Sequence, residues 1–85
     1  PLKARLAGRL LWFAKHYGQE VEGGILIDKK MSQYELADLT MGSRQRINKI
    51  IKEFEAANIL FTKGMRYFVK DMKALKNQIK TKSND

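Results

Sequence analysis

Arg44, Gln45, Arg46, Asn48, Lys49 and Lys52 fall within nine residues, and no acidic residue intervenes before Glu53. Taken as a helix at 100° per residue, this segment has one apolar stripe, Ile47, Ile50, Ile51 and Phe54. Gln45, Lys49 and Lys52 then lie opposite it, flanked by Asn48 and Arg44. The polar side is long-chained and rich in donors. Arginine can bind guanine O6 and N7 with both arms, and glutamine can pair with adenine N6 and N7. A helix that reads base edges in the DNA major groove needs such side chains near its N-terminus, where Arg44, Gln45 and Lys49 stand. A merely solvated helix face would also be polar, but it usually mixes charge signs at i, i+4 spacing. This face carries four cations and no anion from Arg44 to Lys52.

The flanking residues build a presentation device. Ser32 and Glu35 form a Ser-x-x-Glu capping box that opens a first helix carrying Leu36, Ala37 and Leu39. Met41-Gly42-Ser43 reads as a break after Thr40, and Ser43 is a good cap for the second helix, expected over about 43–57. Ala37 is small enough for two helices to cross closely. Capped helix N-termini can also receive phosphate, which makes Ser32, Gln33 and Ser43 candidates for backbone contacts.

The rest of the chain reads as scaffold. Leu2, Leu6, Leu10, Phe13, Ala14 and Tyr17 recur at helical spacing, with Trp12 beside the stripe, so Leu2–Tyr17 is expected to be an amphipathic helix. Pro1 suits its start and Gly18 its stop. Residues 18–24 are expected to be a loop, and Ile25 to Ile27 a short strand after two glycines. Asn58 suits a left-handed cap. Ile59 to Thr62 and Met65 to Val69 are β-prone, with Lys63-Gly64 between them as a two-residue turn. Lys63 and Arg66 on that hairpin are further candidates for phosphate contacts. Asp71 can cap a last helix bearing Met72, Leu75 and Ile79, and residues 80–85 are a polar tail. A helix-turn-helix followed by a hairpin is a winged helix. The expected fold is therefore mainly α with a small β-sheet, one domain over residues 1–79, with the Ile25–Ile27 strand able to join the wing.

Composition narrows the functional classes. The 85 residues carry a formal charge of +8, which favours a polyanionic partner. With no cysteine, disulfides, thiolate zinc sites and cysteine nucleophiles are excluded, in keeping with a reducing cytosol. No apolar run approaches the ~20 residues of a membrane span. A membrane-surface role for the basic first helix is the rarer alternative to a core-facing one. His16 is the sole histidine, Glu20, Glu22 and Asp28 are too few for a metal cage, and no nucleophile or phosphate-loop motif occurs. An enzyme is not expected.

Ser32-Gln33-x-Glu35-Leu36-Ala37-Asp38, Gly42-Ser43-Arg44-Gln45-Arg46-Ile47-Asn48-Lys49, Phe54-Glu55-x-x-x-Ile59-Leu60 and Lys63-Gly64 together resemble the DNA-binding domain of the Crp/Fnr family. These are the cAMP receptor protein-like transcription regulators of bacteria. The resemblance runs from Arg5-Leu6-Ala7 and Leu10-Leu11 to Val69 and Met72, nearly the whole chain. It implies a cytoplasmic regulator that binds double-stranded DNA, with Arg44, Gln45 and Lys49 at base-reading positions and Ser43 and Arg46 at backbone contacts. It implies no cofactor in this chain. A cyclic nucleotide or other effector would bind an N-terminal domain not included here, and a long helix would make the parent a homodimer. Residues 18–24 lie near where the best-known member touches RNA polymerase, but the residues differ and no contact carries over. A winged helix used only for protein–protein interaction is the alternative. One departure concerns the turn. The family motif often has glycine at the place of Met41, whereas here glycine follows at Gly42. Either Met41 adopts a left-handed conformation, or the turn is shifted.

Overall fold

A computed structural model describes residues 1–80. Four helices and four strands follow in the order α1 (Leu2–Tyr17), β1 (Gly18–Val21), β2 (Gly24–Ile27), α2 (Gln33–Thr40), α3 (Arg44–Ala56), β3 (Leu60–Lys63), β4 (Arg66–Val69) and α4 (Met72–Asn77). This is the expected winged helix-turn-helix. The core gathers Leu6, Leu10 and Phe13 of α1, Leu36 and Ala37 of α2, and Ile47, Ile50, Ile51 and Phe54 of α3. Ile27, Leu60, Tyr67, Val69 and Leu75 close it from the sheet and α4. The 3.6-residue spacing of these apolar positions is what turns one stripe of each helix inward.

The strands form an antiparallel sheet in the order β1-β2-β4-β3. The strand around Ile25 to Ile27 does join the wing, pairing Ile25 with Val69 and Ile27 with Tyr67. The expected loop over 18–24 is corrected, since β1 pairs with β2 from Gly18 opposite Ile27 to Val21 opposite Gly24. Every β1 residue is exposed. Its ladder therefore rests on backbone pairing and leaves no apolar alternation in the sequence. Gly18 does end α1, but in an extended conformation (φ −80°, ψ 145°) and not as a left-handed cap. A Cβ there would lie 2.0 Å from the Ala14 carbonyl oxygen, so close approach demands the glycine.

Three other boundaries move. The wing turn is Gly64-Met65, with Lys63 opposite Arg66, in place of Lys63-Gly64. Both turn residues have positive φ, 58° and 63°, the requirement of the turn type that matches strand twist. The α1 stripe ends at Ala14, leaving Tyr17 43% exposed. Helix α4 is capped by Asp71, whose Oδ1 accepts from the Ala74 amide at 2.9 Å, but it stops before Ile79. The expected tail lies outside the described residues beyond Lys80.

Candidate nucleic-acid interface

Both caps of the helix-turn-helix form as the sequence indicates. Ser32 Oγ accepts from the Glu35 amide at 3.1 Å, and the Ser32 amide donates back to Glu35 Oε1 at 2.8 Å. Ser43 Oγ accepts from the Arg46 amide at 3.2 Å. Between the caps, Met41 takes the left-handed conformation (φ 60°, ψ 39°). Its amide donates to the Asp38 carbonyl, and the Gly42 amide donates to the Ala37 carbonyl at 2.9 Å. These are the two bonds of a Schellman ending, which needs one left-handed residue at the position after the helix. Gly42 serves a different need. A Cβ on it would lie 2.7 Å from both methyls of Leu2, so glycine lets α1 press against the turn. The α3 end repeats the motif with Asn58 left-handed at φ 61° and the Ile59 amide donating to the Phe54 carbonyl.

This geometry aims α3. Ile47, Ile50, Ile51 and Phe54 are buried, while Gln45, Arg46, Lys49 and Lys52 are exposed and Asn48 is half-buried. The two carboxylates of α3 are already engaged. Glu53 pairs with Lys3 of α1 at 3.3 Å. Glu55 Oε2 accepts from the Thr62 hydroxyl at 2.7 Å and from its amide at 3.2 Å. Among the described residues, Gln45, Lys49 and Lys52 hold no side-chain hydrogen bond or ion pair. The exposed ridge of α3 thus presents uncommitted donors, with its anions tied back to α1 and the wing.

Six of the predicted residues fall into three pairs. Arg44 and Gln33 meet across the helix pair, the guanidinium donating to Gln33 Oε1 at 3.4 Å and lying 5.6 Å from the Tyr34 ring centroid. Arg46 and Lys49 share a shallow hollow with Lys3 and Glu53 beside the start of α1. Lys63 is exposed at the wing tip, whereas Arg66 donates to Asp28 Oδ1 in a 2.6 Å ion pair. Ser32 and Ser43 stand at their helix starts as expected.

Sequence reasoning missed Tyr34, Lys3 and Asp28. Tyr34 lies inside the capping box, between Ser32 and Glu35, and is 68% exposed, so no apolar pattern flags it, and its cationic partner is ten residues away. The Lys3–Glu53 and Asp28–Arg66 pairs join segments far apart in sequence, which local spacing cannot reveal. Tyr67 also ties the scaffold. Its hydroxyl donates to the Met31 carbonyl at 3.0 Å. Burial, and then the charges of Glu35 and Glu55, push its pKa up from 10.0 to about 12.

A Crp-like helix-turn-helix domain model matches residues 4–78. The chain belongs to the Crp-like helix-turn-helix domain family. It is a DNA-binding domain of the kind found in transcription regulators. No curated protein matches it. The CO-dependent transcription factor CooA from Carboxydothermus hydrogenoformans superposes with a TM-score of 0.86 at 25% identity, covering 92% of this chain and 36% of CooA. The CRP-family regulator TTHB099 from Thermus thermophilus gives 0.82 at 26% identity, over 93% of this chain and 40% of that one. CprK shares the fold, with a TM-score of 0.87 at 18% identity, covering 93% of this chain and 38% of CprK. This Crp-like domain therefore spans well under half the length of those regulators. No described helix is long and apolar enough to cross a membrane.

Proposed function

We propose that this Crp-like domain binds double-stranded DNA sequence-specifically, with α3 in the major groove. The observation that carries this reading is the uncommitted cationic ridge of α3, from which Glu53 and Glu55 are withdrawn by Lys3 and Thr62. A helix about 10–12 Å across fits a groove about 12 Å wide. Arg44, Gln45 and Lys49 address base edges. Ser32, Gln33, Ser43, Arg46, Asn48 and Lys52 hold or support the adjoining phosphates, and the wing contributes Lys63 and Arg66. Arg44 is pre-oriented for its task by Gln33 and Tyr34, which lowers the entropy lost on binding.

The parent is a homodimeric cytoplasmic regulator in this reading, so its operator has two half-sites about one turn, ~34 Å, apart. Touching RNA polymerase and sensing an effector belong to that parent. The test is selection from a random DNA pool with the domain fused to a dimerising coiled coil. Enrichment of a two-fold motif is expected. If Arg44→Ala and Lys49→Ala both left the selected motif unchanged, base reading by α3 would be wrong.

A further inference from the structure

Away from the α3 ridge, α1 and the C-terminal end of α2 flank an open groove of about 480 Å³. Arg5, Gly8, Arg9 and Trp12 follow at i, i+3, i+4 and i+7, so they share one face of α1, and Leu39 and Met41 line the other side. The walls are unusually apolar for an exposed place. Trp12 is 46% exposed, Leu39 40% and Met41 87%. The Trp12 indole is held by stacking on His16 at 3.9 Å and by the edge of Phe13 at 5.3 Å. It is therefore a rigid aromatic wall of the sort that anchors interfaces at low entropic cost.

The lining charges are of one sign. Arg5 donates through Nε to the Thr40 carbonyl at 2.9 Å, which fastens it over the end of α2. Neither Arg5 nor Arg9 takes part in an ion pair among the described residues. No acidic residue lines the groove.

Gly8 is the telling residue. Glycine is among the least favourable residues in a helix interior. A Cβ at this position would meet nothing within 4 Å. Neither internal packing nor a positive φ calls for it, unlike the crowded Gly18 and Gly42. Its missing side chain leaves the groove open over α1.

We propose that this groove docks an acidic amphipathic helix from a protein partner. Its apolar side chains would seat between Trp12 and Leu39–Met41, its backbone would pass over Gly8, and its carboxylates would face Arg5 and Arg9. Helix-in-groove recognition of this kind uses anchors at i, i+3, i+4 and i+7. The two arginines select the sign of the partner's charge.

The test is selection of binders to the 85-residue chain from a displayed library of random 16-residue peptides, followed by amide chemical-shift mapping. Enriched peptides should combine Asp or Glu with large apolar residues at three- and four-residue spacing. They should shift amides of α1 and of Leu39–Met41. Gly8→Met should weaken them at least tenfold, while helicity and melting temperature are retained or rise. Arg9→Glu, a change at an exposed site, should weaken them similarly and serves should Gly8→Met fail to fold. The proposal is overturned if the library yields no binder, or if the enriched peptides are neutral or basic. Binders that map to α3 or hold Gly8→Met and Arg9→Glu as tightly as the parent sequence overturn it too. So would self-association of the chain through this face, abolished by Gly8→Met, since the occupant would then be a second copy.

Discussion

Arg44 is held in place by two neighbours on α2. Its guanidinium is held between the Gln33 amide oxygen and the Tyr34 ring. Tyr34→Ala should therefore weaken operator binding by about 0.5–1 kcal/mol, the size of an exposed cation–π contact, without changing the motif selected. Fluorescence anisotropy on operator and scrambled DNA would check both parts, and an altered motif would mean that Tyr34 itself reads bases. Tyr67 makes a prediction about pH. Its folded pKa is raised from 10.0 to about 12, so the folded state holds a proton that the unfolded chain releases first. The stabilisation is complete below pH 10 and declines as pH rises from about 10 to about 12. Tyr67→Phe should remove that decline in alkaline denaturation, and should cost about 1 kcal/mol at neutral pH for the lost bond to the Met31 carbonyl. The exposed positions of Gln45 and Lys49 on α3 were legible in the sequence because a helical wheel suffices to place them. Tyr34 was not, because its importance depends on a neighbouring helix.

At the level of elements, the turn between α2 and α3 carries the most information. The sequence left two possibilities open at Met41-Gly42, and the backbone resolves them by giving each residue a separate constraint. Met41 pays a conformational cost, since left-handed backbone disfavours residues with a Cβ by roughly 1–2 kcal/mol. Met41→Gly should thus raise stability by about 1 kcal/mol, and the melting temperature of a domain this size by roughly 4–8 °C. Gly42→Ala should do the opposite, because its methyl would overlap the buried Leu2 side chain. A loss of about 1–3 kcal/mol is expected for such overpacking. Thermal melts of the two variants would decide the matter, and equal effects would contradict the separation of roles. The caps at Ser32, Ser43 and Asp71 were readable because capping depends on residues three apart. Strand β1 was not, because its residues are exposed and its partner β2 alone makes it a strand.

For the whole domain, charge and shape act together. With a net charge of +8, affinity for DNA should fall steeply with salt, with a log–log slope of about −0.9 for each phosphate neutralised. Lys52→Ala should reduce the slope by about one unit and weaken binding to all sequences alike. A salt titration on specific and non-specific DNA would show it, and a change confined to one operator position would place Lys52 among the base readers. The apolar groove beside α1 is a second surface, built from different residues, so binding to DNA and docking of a partner need not compete for the same side chains.

Residue order alone determined the helices, the caps at Ser32, Ser43 and Asp71, the buried stripe of α3, the winged helix-turn-helix class and the cationic ridge. Each follows from interactions within about four residues along the chain, where spacing is geometry. Only the tertiary structure decided that the Met41 turn is left-handed, that β1 completes the sheet, that Glu53 and Glu55 are drawn off the ridge, and that Gly8 opens onto a groove. The withdrawal of Glu53 and the packing around the Met41-Gly42 turn depend on segments far apart in sequence coming into contact, as when Lys3 meets Glu53 and Leu2 meets Gly42, whereas the β1–β2 hairpin is local but carries no apolar alternation to mark it. No local pattern encodes such a meeting, because packing the shared core is what brings the segments together.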